Sequence, residues 1–333
     1  MQTRTITLFL ALLLMVTGLA ACGSDGADLT IYSGRSSELV EDLLEQFADE
    51  RGIDIDVLYG DTAEVAAKIA EEGDRSPADV FFSQDAGALG ALADEGLLAE
   101  LPDSVLDLVP SAFRSRQGVW VGTSGRARTL VYNPEAVSDD ELPASVFDLV
   151  DPKWQGRIAW APTNGSFQAF VTGLRALEGD DAARQWLEGM IANGTEEFES
   201  NTPIVQAVGS GEIDAGLVNH YYLPQLRSEN PGLAARNHFF DGGDPGGLIN
   251  VAGVAVLESS DQSELALELI EFLLSAVAQE YFAAETFEYP LVDGVEADPD
   301  LPALTALEPP DVDLSELEDL RGTLDMLREV GAL

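Results

Sequence analysis

Leu29-Thr30-Ile31-Tyr32, Ser33-Gly34-Arg35 and Ser36-Ser37 open the stretch whose reading decides the fold. The first four residues read as a strand, the next three as a turn, and Ser36 or Ser37 as the N-cap of a helix. Leu39, Val40, Leu43, Leu44 and Phe47 then share one helical face, which ends at Gly52. Ile53, Ile55 and Val57 alternate with Asp54 and Asp56, the period of a second strand. Gly60-Asp61-Thr62 turns the chain, and residues 63–72 read as a second helix. Strand, helix, strand, helix in this order calls for parallel strands with helical crossovers, an α/β arrangement.

The pattern continues outward. Val80-Phe81-Phe82 reads as a strand and Gly87 to Ala93 as a helix. Leu130-Val131-Tyr132 and Arg157 to Trp160 read as strands. Residues 166–178 and 183–192 read as helices, the first with Phe167, Phe170, Val171, Leu174 and Leu177 on one face. Thr202-Pro203 starts another helix. Ile213 to Val218 and Val251 to Leu257 are apolar strands, and 263–280 reads as one helix. A stripe of Leu314, Leu317, Leu320, Leu324, Leu327 and Val330 predicts a last docked helix. Internal repeats, low-complexity stretches and long linkers are absent from the sequence. The folded part nevertheless exceeds the usual size of a single core. Two α/β lobes between which the chain crosses more than once reconcile these facts, and a cleft between lobes is where ligands sit in such folds.

Charge is the outlier of the composition. Sixty Asp and Glu face 17 Lys and Arg, for a net −43, and Lys68 and Lys153 are the two lysines. Such a surface repels nucleic acid and anionic headgroups, which excludes those partners. It suits a saline habitat, or else reflects codon usage that replaced Lys by Arg. The single cysteine, Cys22, excludes an intrachain disulfide. Arg4, the apolar run Leu8 to Val16, and Leu19-Ala20-Ala21-Cys22 together read as an export signal over residues 1–21, too short to span a bilayer. The Leu-Ala-Ala-Cys ending resembles a bacterial lipobox, which implies lipid attachment at Cys22 and a tether over 22–27. The body is then expected outside the cytoplasm, at the outer face of the cytoplasmic membrane, held there by its lipid anchor only.

Asn219-His220-Tyr221-Tyr222, directly after an apolar strand, is the most unusual element. Neighbours in a strand point to opposite faces, but at a strand end or helix start two phenol oxygens converge. A small, hard trivalent cation prefers anionic oxygen and drives off the phenol proton, so paired phenolates suit Fe(III) better than Ca²⁺ or Zn²⁺. The plainer reading is two aromatics in a core or between lobes. Asn164-Gly165-Ser166 opens a helix whose free N–H groups favour an anion, or is simply a cap. Arg126 and Arg128, in Ser124-Gly125-Arg126-Ala127-Arg128, are notable in a chain so poor in cations. Either suits a carboxylate, phosphate or carbonate, or an interlobe salt bridge. No catalytic motif is present: zinc-protease spacings, Gly-x-Ser-x-Gly, dinucleotide and P-loop patterns are all missing.

From about Asp28 to the C-terminus the chain resembles the ferric-ion-binding proteins of bacterial iron(III) ABC transporters. The blocks that carry the resemblance, in order, begin with Ser76-Pro77-Ala78-Asp79-Val80-Phe81, Ser124 to Arg128 and Pro152 to Ile158. Pro162 to Phe167, Gln206 to Ala215, Asn219 to Tyr222, Asp244-Pro245-Gly246 and Glu288-Tyr289-Pro290-Leu291 follow. The resemblance implies a type II periplasmic-binding-protein fold, each lobe a mixed sheet flanked by helices, with 28–123 plus 250–300 in one lobe and 124–249 plus 301–333 in the other. It implies Fe(III) as transported ligand on Tyr221 and Tyr222, with carbonate or phosphate as synergistic anion. Asn164, Gly165, Ser166, Asn201 and Asn219 would surround that anion, with Arg126 as a second candidate. Many members carry a His where Ser36 stands and a Glu where Gln84 stands, so the first-lobe contacts stay open among Ser36, Tyr59, Gln84 and Asp85. A monomer serving a permease with a cytoplasmic ATPase is expected. A binding protein for a small anion, such as a phosphonate or organic acid, is the alternative, and an extracellular enzyme on the same scaffold a remote one.

Overall fold

The computed structural model describes residues 27–333; the expected signal, Cys22 and most of its tether lie outside the described residues. The opening unit folds as read: β1 (Leu29–Ser33), α1 (Ser37–Arg51), β2 (Ile55–Tyr59), α2 (Thr62–Glu72), β3 (Val80–Ser83) and α3 (Ala86–Asp94). Strands β2, β1 and β3 lie side by side and parallel. Gly52 closes α1 in the left-handed conformation that a side chain disfavours. A short α4 (Asp103–Leu106) precedes β4 (Val121–Tyr132).

Strand β4 organises the molecule. Its twelve residues are all buried. Its first half pairs with β9 (Ile249–Val256) and β10 (Tyr289–Pro290). Its second half pairs with β7 (Ala215–Asn219) and β8 (Arg236–His238). Beyond β7 lie β5 (Ile158–Trp160) and β6 (Glu196–Glu197) in parallel, so the path runs β2-β1-β3-β9-β4-β7-β5-β6. The Ser124–Arg128 block, expected just before a strand, is inside β4 because its small residues let β9 and β10 flank it closely. A Cβ on Gly125 would come within 3.2–3.5 Å of Leu291, Tyr289 and Ile249. The helices of the second half are α5 (Gly165–Glu178), α6 (Asp180–Ala192), α7 (Asn201–Ser210) and α8 (Tyr222–Glu229). The expected helix over 263–280 is two, α9 (Ser263–Leu273) and α10 (Ala276–Ala284), because Ser275 caps a new start by accepting from the Ala278 N–H. The chain ends in α11 (Leu320–Val330).

Apolar side chains gather into a cluster around β1, β3 and β9, and two around β5 and β7. The expected single helix through Leu314 and Val330 is instead one turn, Leu314–Glu318, followed by α11, with Asp319 capping the Gly322 N–H. Leu314 and Leu317 pack into the first cluster, whereas Met326 and Leu327 pack into the second. The tail 301–333 therefore does not belong wholly to the second lobe. Its first part fastens to α3, where a Cβ on Gly87 would meet the Leu317 carbonyl oxygen at 2.4 Å and one on Gly90 the Ser315 oxygen at 2.5 Å. Its second part is tied to α5 by Thr172 and Thr323 (Oγ1 to Oγ1, 2.8 Å) and by Arg175, which donates to the Asp319 carboxylate at 2.8 Å. Among the described residues no helix is long and apolar enough to cross a membrane.

Candidate functional site

A cleft of 690 Å³ lies between the two halves. One wall is built from the starts of α2 and α3, the other from the start of α5 and the β7–α8 turn, and Leu317, Glu318, Leu320 and Leu324 line it along the tail.

Tyr221 and Tyr222 leave the end of β7 as the chain turns into α8. Their rings stack, with centroids 4.3 Å apart, and both line the cleft. Burial, above all, and the neighbouring Tyr222 hold the Tyr221 phenol well above its ordinary value, with Arg126 pulling the other way. A cation that binds this oxygen as phenolate must therefore displace a firmly held proton. His220 is no candidate ligand. Its Nδ1 accepts from the Ala127 N–H (3.1 Å) and its Nε2–H donates to the Phe287 carbonyl (2.9 Å), so both nitrogens are engaged and the ring is neutral. Burial pushes its pKa down to about 4.

Beside the tyrosines, Asn164 caps α5. Its Oδ1 accepts from the Ser166 N–H (3.0 Å), the Ser166 hydroxyl (2.6 Å) and Asn201 Nδ2 (3.0 Å). The Phe167 N–H donates to the Asn164 carbonyl (3.0 Å), so part of the donor set expected to meet an anion is already satisfied. Asn164, Gly165 and Ser166 line the cleft; Asn201 and Asn219 stand behind them, with Asn201 fully buried.

Two guanidinia lie below the site, Arg126 in the floor of the cleft and Arg128 behind it. Arg126 lines the cleft, donates to the Gln84 carbonyl and lies 3.8 Å from Glu288. Glu288 also takes Arg35 at 2.8 Å and the Ser124 hydroxyl at 2.8 Å. Arg128 is 2 % exposed and reaches neutral oxygens only: Ser166 Oγ and Asn219 Oδ1, both 3.4 Å, and the Leu217 carbonyl at 2.9 Å. Phe167 and Phe170 flank it, each ring centroid 5.5 Å away. Burial pushes its pKa down to about 9, which leaves it protonated at neutral pH.

On the facing wall Gln84 and Asp85 line the cleft, but Ser36 and Tyr59 do not. Ser36 stands at the N-cap of α1. Tyr59 ends β2 near the acidic side of α1; burial, followed by Glu41, Glu45 and Glu38, pushes its phenol up to about 12. Asp85 caps α3 by accepting from the Ala88 N–H (3.0 Å); burial raises its carboxyl, against Ala88 and Arg126. Gln84 Oε1 is buried with no hydrogen-bond partner. Sequence reasoning missed Asp61, which caps α2 and lines the same wall, and Asn250 on β9. Asp61 carried a signal, an acid just before a helical run, but in a chain with 60 acids the signal does not stand out. Glu288 was visible only within a resembling block, since nothing local marks its burial between two arginines.

Comparison with known proteins matches residues 75–316 to the family of bacterial extracellular solute-binding proteins. The major ferric iron-binding protein of Neisseria meningitidis is 34 % identical over 325 residues, 96 % of this chain and 97 % of that one. The Fe(3+)-binding periplasmic protein of Serratia marcescens is 31 % identical over 332 residues, covering 98 % and 97 %. Iron-bound HitA from Pseudomonas aeruginosa superposes with a TM-score of 0.84 at 36 % identity, covering 91 % of this chain and 99 % of that one, so the fold is the two-lobed periplasmic-binding type. With a family model that matches 75–316 and relatives that match along nearly its whole length, the chain belongs to the bacterial extracellular solute-binding proteins, which bind a solute and are not enzymes.

Proposed function

We propose that this protein captures Fe(III) in the cleft through the Tyr221 and Tyr222 phenolates, with carbonate or phosphate completing the coordination, and delivers it to an ABC permease driven by a cytoplasmic ATPase. The observation that carries the reading is the stacked tyrosine pair facing the Asp85 wall across the cleft. Relatives that match nearly the whole chain are named for ferric iron. Two phenolates and a carboxylate are the oxygen donors a hard trivalent cation selects. Asp85 and Asp61 stand where the first lobe would add a ligand on closure, which moves the population toward a closed form that a permease can recognise. Gln84, with its unpaired amide oxygen, gives a neutral contact in place of a charged one. Arg126 and the Asn164–Ser166 turn would hold the anion. Lipid on Cys22 would keep the protein, as a monomer, at the outer face of the cytoplasmic membrane.

The test is a visible absorption titration of the iron-stripped body with ferric citrate, with and without bicarbonate. A saturable one-to-one coloured complex supports the reading. Absence of colour, with no thermal stabilisation, sinks it. The two buried guanidinia favour a second reading, a small organic or phosphonate anion as the ligand itself. In that case Arg126→Ala costs binding and iron makes no difference.

A further inference from the structure

Arg128, behind the floor, is the anomaly among the buried arginines. Arg35 has Glu288 at 2.8 Å, and Arg126 has the same carboxylate at 3.8 Å. Among the described residues no carboxylate lies within salt-bridge distance of Arg128, in a chain with 60 acids. Its three acceptors are neutral, and its Nε has none. The ring faces of Phe167 and Phe170 exclude water from it. A buried charge without a counter-charge is costly, so its usual solution is a partner on the same chain. Here the guanidinium lies under Ser166 and Asn219, which with Arg126 and Asn250 close round a gap of 10 Å³ next to the cleft.

We infer that Arg128 is a positioning residue whose counter-charge is the anion proposed above to complete the coordination, so that its guanidinium sets how tightly that anion is held. This rests on the ferric reading above. Before a first-lobe carboxylate joins on closure, Fe(III) with two phenolates keeps one positive charge. Above an uncompensated guanidinium that complex is repelled; water leaves its charge unchanged, and a halide cancels the charge without making it attractive. Carbonate or hydrogen phosphate reverses the sign of the complex and turns the repulsion into attraction. Arg128 thereby tightens the hold on the anion. It acts through Ser166 and Asn219 without touching the metal, and it stabilises the phenolate electrons from below.

The experiment titrates bicarbonate, and separately inorganic phosphate, into the iron-stripped protein with ferric nitrilotriacetate as donor, comparing wild type, Arg128→Met and Arg128→Lys. Met keeps the volume between the two Phe rings without the charge, whereas Lys keeps the charge. In Arg128→Met the half-saturating anion concentration should rise about tenfold or more, as expected for losing one charge-assisted interaction. Its phenolate-to-iron band should move to longer wavelength, because the phenolate electrons are no longer held down by a cation. Arg128→Lys should keep the band near its wild-type position. An Arg128→Met protein that saturates with the wild-type anion requirement and an unshifted band overturns the inference. So does equal loss in both variants with unshifted bands, which would make Arg128 a packing residue. Should Arg128→Met not fold, Asn219→Asp places a carboxylate at the position now 3.4 Å from the guanidinium. It must then raise the anion requirement likewise, and no change overturns the inference. A colourless wild type removes the ferric reading itself, and this inference with it.

Discussion

Replacing Glu288 by Gln should cost the protein more than any other single isosteric exchange around the cleft. Glu288 is buried, and its carboxylate takes Arg35 at 2.8 Å, the Ser124 hydroxyl at 2.8 Å and Arg126 at 3.8 Å. Burial alone would raise its carboxyl; the charges of Arg35 and Arg126, with the bonds from Arg35 and Ser124, outweigh that and hold it below its ordinary value of 4.5. Arg35 is fully buried and has no other carboxylate within salt-bridge distance among the described residues, so the exchange strands a charge. Removing one partner of such a pair costs about 3–5 kcal/mol. For a chain of this size each kcal/mol lowers the melting temperature by about 2 °C, so thermal unfolding at pH 7 should fall by roughly 6–10 °C. The pH dependence supplies the sign. A carboxyl held lower in the folded state contributes fully above its unfolded value and loses that contribution as pH falls through the folded one. The gap between wild type and variant should hold from pH 7 to about pH 5 and close only below 4.5. Calorimetry or circular dichroism across that range measures it. A variant that melts within a degree of wild type at pH 7, or a gap that closes above pH 5, would refute the assignment of Glu288 as the charge that balances the floor.

Three further outcomes follow from the same geometry. Tyr221→Phe should fold normally and weaken and shift the visible absorption of the ferric complex, since only the Tyr222 phenolate remains; a coloured complex that survives unchanged would show that Tyr221 is not a ligand. Asp85→Ala removes the cap of α3 and one wall carboxylate, so urea unfolding should show a loss of about 0.5–2 kcal/mol. The ferric colour should persist in that variant with weaker iron retention against citrate. Gly90→Ala puts a methyl within 2.5 Å of the Ser315 carbonyl, so denaturant melts should report a loss of about 1–3 kcal/mol, and an unchanged midpoint would deny the close seat of the tail on α3.

Local pattern was readable from the residues wherever one element dictates its own periodicity. Leu39, Val40, Leu43, Leu44 and Phe47 announce α1 because a helix buries one face, and Val80-Phe81-Phe82 announces β3 because a central strand buries both. Placement across the sheet was less legible. That Ser124–Arg128 lies within β4 depends on β9 and β10 arriving from more than a hundred residues away, which no local window contains. The break at Ser275 was hidden because apolar spacing runs through it and only the cap distinguishes two helices from one. At the site, Tyr221 and Tyr222 stood out because tyrosine is scarce here, whereas Asp61 disappeared among the other acids. Ser36 is a candidate because it stands where many members of the resembling family carry a His, and Tyr59 because it is a further oxygen donor of the first lobe. Ser36 is instead the exposed N-cap of α1 and Tyr59 is half-buried near the α1 glutamates, placements away from the cleft that the sequence does not mark.

The weave of β9 and the tail through the first cluster has a consequence for the order in which the molecule folds. Val80 of β3 lies opposite Val256, and Leu314 and Leu317 complete the same apolar cluster that begins at Leu29. The half that emerges first from the ribosome cannot close its core until nearly the last residues have been made. Contacts so distant along the chain slow folding, because the intervening loop must be closed before they repay it. This first half of the nascent chain therefore stays open through most of its synthesis, whereas the cluster between Val131 and Ala235 needs nothing that comes later. Architecture, not surface, is what postpones the closing of that first core until nearly the whole chain is available.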